Sequence, residues 1–440
     1  MRRILVTQAI MNVRKSLGIL CIGFLSGLAF NYINGPSIRT LGTDFIPPVP
    51  QTVSLRISGI YSNGTDFHLV DREMEKFMRS WEIAGASLAV AHNGTLIYAK
   101  GYGYADVESG EPVQPYHLFR IASVSKLVTA AGIMKLAEEG RLSLEDNVFG
   151  PNGILNISPF DNYKDKRVEE IKVKHLLNHS GGWTNRWGDP MFIPTVIAQK
   201  LGKELPVSDE DIIRFMLGKR LHFKPGTSSS YSNLGYVILG KVIEAVSGQS
   251  YEDYIKTAIL YPLEIYDMQL GYSFPEQKNP LEVRYYEPSD SEPVVDFMNG
   301  QDTVPRSYGG NDIYTLGAAG GWIASSTDLM KLMLALDGNP EPADILSPES
   351  IKQMITPVDQ GFQPFGWRGV IRGELYRTGT LAGTSALMVS RPDGYCYVVL
   401  LNTSTWKGPK LANEIRRMMH KGISKTEVWN EFDLVSSSEM

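Results

Sequence analysis

Strand-like residues lie at both ends of the chain, with a long non-strand region between them, and this separation constrains the fold more than any other feature. "ASLAVAHNGTLIYAKGYGYAD" (86–106) holds two short apolar strands around Asn93-Gly94, a dipeptide that favours a tight hairpin because both residues tolerate positive φ. Near the other end, "GWRGVIRGELYRTGT" (366–380) and "ALMVSRPDGYCYVVLLN" (386–402) are β-rich, with Pro392-Asp393-Gly394 as a turn. From Leu142 to about Leu260 the pattern is helices and loops, while Glu73–Trp81 and Pro409–Met419 read as further helices. One antiparallel sheet built from both ends of the chain, with flanking helices and an inserted, mostly helical region, accommodates that order. The fold class is α+β.

"FRIASVSKLVTAAGIMKLAEEG" (119–140) lies at the junction of the sheet-forming and helical regions. Val124, Leu127, Val128 and Ala131 recur at helical spacing, and Gly140 is a stop signal. Ser123 therefore falls in or just before the first turn, with Lys126 one turn along the same face. A hydroxyl beside an amine is a nucleophile beside a base. The same residues also suit an N-cap serine and a lysine that snorkels to water, and S-x-x-K recurs at Ser404–Lys407 in "STWK". The tetrapeptide alone does not decide.

Two further stretches bear on the choice. In "HFKPGTSSSYSNLGYVILGKVIEAVSG" (222–248), Lys224-Pro225-Gly226-Thr227 is a turn and Tyr236–Val246 a helix, which leaves Tyr231-Ser232-Asn233 in a loop. An extended loop points Tyr231 and Asn233 the same way; alternatively, Ser232 or Asn233 simply caps the helix. In "LYRTGTLAGTSALMV" (375–389), a strand over Glu374–Thr380 puts Arg377 and Gly379 on one face. A glycine there lets a substrate lie against the backbone.

Taken in order, Ser123-Val124-Ser125-Lys126, Tyr231-Ser232-Asn233 and Arg377-Thr378-Gly379 resemble the three motifs of the serine β-lactamase and penicillin-binding protein superfamily. The likeness is to the branch of class C β-lactamases, D,D-carboxypeptidases, D-aminopeptidases and family VIII esterases. "LAEEGRLSLEDNV", "IKVKHLLNHSGGW" and "GAAGGWIASSTDLMKLMLAL" extend it over about Asp71–Met419. The resemblance implies a β-lactamase/transpeptidase-like fold and an acyl-enzyme on Ser123. It implies Lys126 and Tyr231 as the proton-transfer groups, and the backbone N–H groups of Ser123 and Thr380 as the oxyanion hole. It further implies that Asn233 holds the substrate amide and that Arg377, Thr378 and Gly379 hold the substrate, the first two at its carboxylate. Arg377 departs from the Lys-Thr-Gly or His-x-Gly of relatives. An arginine keeps its charge, so it can bind but not relay a proton.

The implied substrates are small molecules or peptides: D-amino-acid peptides of peptidoglycan type, β-lactams as substrates or inhibitors, and related amides and esters. The alternatives are a family VIII-like esterase with the same mechanism, or a penicillin-binding sensor that acylates and turns over poorly. No cofactor and no metal are expected. His175 and His179 are four apart, but Leu176 stands where H-E-x-x-H needs glutamate, and no G-x-S-x-G elbow occurs. A net charge of -5 argues against nucleic acid as a partner.

The N-terminus carries Arg2, Arg3, Arg14 and Lys15 before an apolar run from Leu17 to Phe30. That is the layout of an export signal, and residues 17–33 approach the roughly 20 residues of a single membrane anchor. Cys21 lies in that run and leaves Cys396 alone, so no internal disulfide is available. The expected division is a signal peptide or membrane anchor at 1–33, a tether and edge segment at 34–70, a hydrolase domain at 71–425 and a tail at 426–440. The implied place is the bacterial periplasm or cell envelope.

Overall fold

The Asn93-Gly94 turn takes the conformation its residues favour, with φ of +48° and +81°. It joins β1 (Gly85–His92) to β2 (Thr95–Asp106) in the expected hairpin. The structure, a computed structural model, describes residues 56–58, 67–357 and 361–424. All of them belong to one compact unit spanning residues 51–440.

α1 (His68–Trp81) precedes the hairpin, and β3 (Glu111–Pro112) and β4 (Phe119–Arg120) lead to α2 (Ser125–Glu138). The inserted region follows as α3 (Val173–Leu177), α4 (Pro194–Leu201), α5 (Asp209–Leu217), α6 (Asn233–Ser247) and α7 (Tyr251–Ile255). β5 (Gln269–Leu270) comes next, then a short hairpin of β6 (Val294–Val295) and β7 (Thr303–Val304), α8 (Ile313–Gly320) and β8 (Trp322–Ala324). The chain returns through α9 (Ser326–Leu334) and α10 (Pro348–Ile355) to β9 (Gly369–Ile371), β10 (Glu374–Leu381), β11 (Thr384–Ser390), β12 (Tyr395–Leu401) and α11 (Leu411–Ser424).

The large sheet runs β3-β2-β1-β12-β11-β10-β9, antiparallel throughout. Its two halves, one from each end of the chain, join where β1 pairs with β12, with Leu88 opposite Val399 and Val90 opposite Tyr397. Alternation along the strands buries both faces. Leu88, Val90, Val399 and Leu387 pack with Val70, Met74 and Phe77 of α1 and Ile415 and Met419 of α11. Ala89, Ala91, Val398 and Met388 turn the other way, into the larger core that holds α2, α6 and α9.

Two boundaries differ from the sequence reading. α1 starts at His68, inside the stretch read as tether, because Val70 already belongs to its apolar stripe. α6 starts at Asn233 rather than Tyr236. The segments 1–33 and 426–440 lie outside the described residues. Among the described residues, no helix is long and apolar enough to cross a membrane.

Candidate active site

A single 3-10 turn, Ala122–Val124, delivers Ser123 to the start of α2. Ala122 takes φ +48°, a left-handed conformation that costs a non-glycine residue energy and turns the chain sharply. α2 is buried around nearly its whole circumference, and Lys126 is fully buried. It cannot snorkel to water. Its Nζ instead meets three acceptors: Ser123 Oγ at 3.2 Å, Asn233 Oδ1 at 2.7 Å and the Ala319 carbonyl. Three acceptors saturate an ammonium. If Lys126 is neutral, Asn233 and Ala319 hold its two protons and its lone pair faces Ser123 Oγ.

Capping and chemistry turn out to be compatible in Tyr231-Ser232-Asn233. The Ser232 side chain caps α6 by accepting from the Gly235 N–H at 3.1 Å. Asn233 is then the first helical residue, not part of an extended loop, and its side chain still reaches Lys126. Tyr231 OH donates to Ser123 Oγ at 2.7 Å. The Asn233 amide is fixed at its other end by Nδ2 donating to Asp189 Oδ2 at 2.8 Å. Asp189 also accepts from Asn185 Nδ2 at 3.2 Å and the Met191 N–H at 3.0 Å.

β10 lies directly beside Ser123. A Cβ on Gly379 would sit 2.0 Å from the Ile121 carbonyl oxygen and 3.1 Å from the Ser123 nitrogen. The glycine therefore serves the close approach of two backbone segments of this chain. Arg377, on the same face, is 1% exposed. Its Nε donates to the Ser123 carbonyl at 2.7 Å and its Nη2 to Tyr231 OH at 3.3 Å. Two of its three nitrogens are thus committed to the chain itself, whereas the sequence reading gave the guanidinium to a substrate carboxylate. Thr378 and Thr380 are half-buried and line the cleft.

Burial pulls the Lys126 amine down to about 8; the Tyr231 oxygen opposes this shift and the Arg377 charge adds to it. Burial raises the Tyr231 hydroxyl, but the charges of Lys126 and Arg377 outweigh it and bring the group to about 8. The two groups interact, so they give up their protons as a pair. His179 packs against Tyr231 with ring centroids 4.6 Å apart, and its Nδ1 accepts the Ser232 N–H at 3.2 Å. Burial, with Lys126 and Arg377 nearby, holds its imidazole well below the usual range and therefore neutral.

Ser123, Tyr231, Asn233, Arg377, Thr378 and Thr380 share the lining of a cleft of about 320 Å³. The sequence reading missed three contributors. Asp189 sits in an unremarkable turn, and Arg368 is an exposed cleft-wall residue 5.5 Å over the Tyr231 ring, accessible only once the β9–β10 hairpin is placed. His179 was weighed as a zinc ligand, but α3 ends at Leu177 and the two histidines share no helical face. His175 Nδ1 accepts the Lys172 N–H at 3.2 Å. Among the described residues, no cluster of three or more His, Cys, Asp or Glu could hold a metal. The second S-x-x-K assembles nothing comparable: Ser404 Oγ accepts from Gly383 N–H, and Lys407 pairs with Glu414 at 3.3 Å.

The profile of the family described as Beta-lactamase matches residues 70–418. Protein flp of Staphylococcus aureus (strain N315) is 29% identical over 369 residues, covering 81% of this chain and 67% of that protein. The fold is similar to the octameric penicillin-binding protein homologue from Pyrococcus abyssi, at TM-score 0.61 and 29% identity over 82% of this chain and 79% of that one. It is also similar to a D-amino acid amidase from Ochrobactrum anthropi SV3, at TM-score 0.64 over 83% and 100% of the two chains, where 20% identity speaks for the fold alone.

Proposed function

The chain belongs to the beta-lactamase family and is a serine hydrolase, and from that premise we propose that Ser123 forms an acyl-enzyme with D-amino-acid peptides of peptidoglycan type, β-lactams, or amides and esters of similar shape. The observation that carries this reading is the placing of Ser123 Oγ within hydrogen-bond reach of both Tyr231 OH and Lys126 Nζ. Ser123 attacks the substrate carbonyl as its proton passes to the Lys126–Tyr231 pair. The N–H groups of Ser123 and Thr380 hold the oxyanion, and such donors contribute about 2.7–4 kcal/mol each. The pair then protonates the leaving group, and afterwards takes a proton from the water that frees Ser123. Asn233 holds the substrate amide through its remaining N–H, the other N–H being taken by Asp189 while Oδ1 accepts from Lys126. The basic residues followed by an apolar run at the N-terminus support export to a bacterial periplasm or cell envelope, with 17–33 as signal or anchor.

The carboxylate role first given to Arg377 fits Arg368 better, because Arg368 is exposed in the cleft while Arg377 is buried on Ser123 and Tyr231. Two peptides ending in D-alanyl-D-alanine, one with a free carboxylate and one amidated, test this. Arg368→Ala should lower kcat/KM about tenfold for the carboxylate alone, the low end of a charged hydrogen bond at ~1.5 kcal/mol. Arg377→Ala should lower both peptides alike. Selectivity lost in Arg377→Ala and kept in Arg368→Ala would return the carboxylate to Arg377. A burst of one equivalent without further turnover would instead mark a sensor.

Gly379→Ala should reduce turnover of every substrate about 10²-fold, the scale of a 1 Å misplacement at a reacting centre. The strand must retreat from Ile121 and carries Thr380 with it. Steady-state kinetics checks this, with circular dichroism to verify the fold; full activity would mean that β10 does not fix the oxyanion donors.

A further inference from the structure

We propose that the catalytic cleft continues past Thr380 and Leu381 into a second compartment that takes an apolar, aliphatic or aromatic, segment of the substrate. The inference rests on the reading of Ser123 given above and narrows its substrate class. A groove of about 600 Å³ shares Phe192, Thr380 and Leu381 with the cleft that holds Ser123, so the two adjoin. It is walled by the start of α4 and the residues before it, from Phe192 to Val196, and by Val294 and Val295 of β6.

Three large apolar side chains lie open there: Phe192 at 39%, Val196 at 45% and Val295 at 49% exposure. Singly, such residues need no explanation. Gathered from two distant parts of the chain into one groove beside the cleft of the reacting serine, they form a binding surface. The lining includes no carboxylate, and its single charged side chain is Arg306, so a cationic moiety does not match it.

The compartment is built rather than incidental. β6 and β7 pair through Val294–Val304 and Val295–Thr303. Arg120, three residues before Ser123, is buried and donates through Nη1 to the Ser307 carbonyl at 2.5 Å, tying this segment to the strand that leads into the nucleophile turn. Gly310 keeps the groove lined by Val294, because a Cβ there would lie 2.7 Å from Val294 Cγ2. Phe297 stacks on Phe274 behind the hairpin, with centroids 5.7 Å apart.

Two ester series measure the effect and tell which side of the scissile bond enters the groove. One varies the acyl chain of 4-nitrophenyl esters from acetate to octanoate; the other varies the alcohol of alkyl acetates from methyl to octyl. In one of them kcat/KM should rise about fourfold per methylene until the groove is filled, ~0.8 kcal/mol each. Val196→Asp and Val295→Asp, both at exposed positions, should flatten that slope. A slope that survives both variants overturns the proposal. Flat series whose turnover vanishes in Ser123→Ala overturn this proposal and leave the nucleophile standing. Turnover that persists in Ser123→Ala overturns the nucleophile reading and this proposal with it.

Discussion

Ser123→Ala is expected to lower kcat by roughly 10⁴- to 10⁶-fold on any ester or amide that the enzyme turns over, the scale seen when a serine hydrolase loses a member of its nucleophile unit. The expectation follows from geometry. Ser123 is the hydroxyl on which Tyr231, Lys126 and, through its carbonyl, Arg377 converge. The residue is half-buried in a turn whose shape is set by the backbone, so alanine should leave the fold intact. What remains would be the oxyanion donors and substrate binding acting on water. Steady-state assay of the purified variant checks this, with thermal unfolding as the control for structure. Retention of more than about a tenth of wild-type kcat by a folded variant would remove Ser123 from the chemistry, since a lost nucleophile costs several decades.

Lys126→Ala and Tyr231→Phe should each depress kcat by about 10²–10⁴, and the double variant by much less than the product. The two groups share one proton-transfer task around one oxygen, so removing either disables most of the unit. Their pH dependence gives a second readout. With both groups near 8, kcat/KM should rise as the pH passes through that value, because the reactive form is the one from which the pair has lost a proton. Arg377 places a positive charge beside both, which favours that loss. Arg377→Ala should therefore move the rising limb to higher pH. A limb that stays in place, or moves down, would separate Arg377 from the proton-transfer pair. Fully additive single effects would mean that Lys126 and Tyr231 act in different steps.

Much of the fold was legible because it rests on local rules. Asn93-Gly94 accepts two positive φ angles and so fixes one hairpin. Alternating apolar residues in β1 and β12 bury both faces of a sheet, and the spacing of Val70, Met74 and Phe77 extends α1 back to His68. The S-x-x-K helix start was legible too, but its meaning depended on burial, which spacing in a helix buried on nearly every side does not reveal. Lys126 meets Asn233, 107 residues away, and Ala319, 193 away, and no local pattern encodes such partners. Arg377 shows the same limit. Strand alternation indicates its face but not the fact that this face packs on the Ser123 turn. Asp189 acts through Asn233, so nothing in its own sequence neighbourhood marks it. Arg368 gains its place only through the β9–β10 hairpin.

The central claim is that Ser123 carries the covalent intermediate, and peptide mass mapping after reaction with a fluorescent penicillin or a fluorophosphonate tests it most directly. The mass increment should fall on the peptide containing Ser123, be absent in Ser123→Ala, and form more slowly in Tyr231→Phe. An increment on Ser404 or another residue, or an undiminished one in Ser123→Ala, would contradict the account.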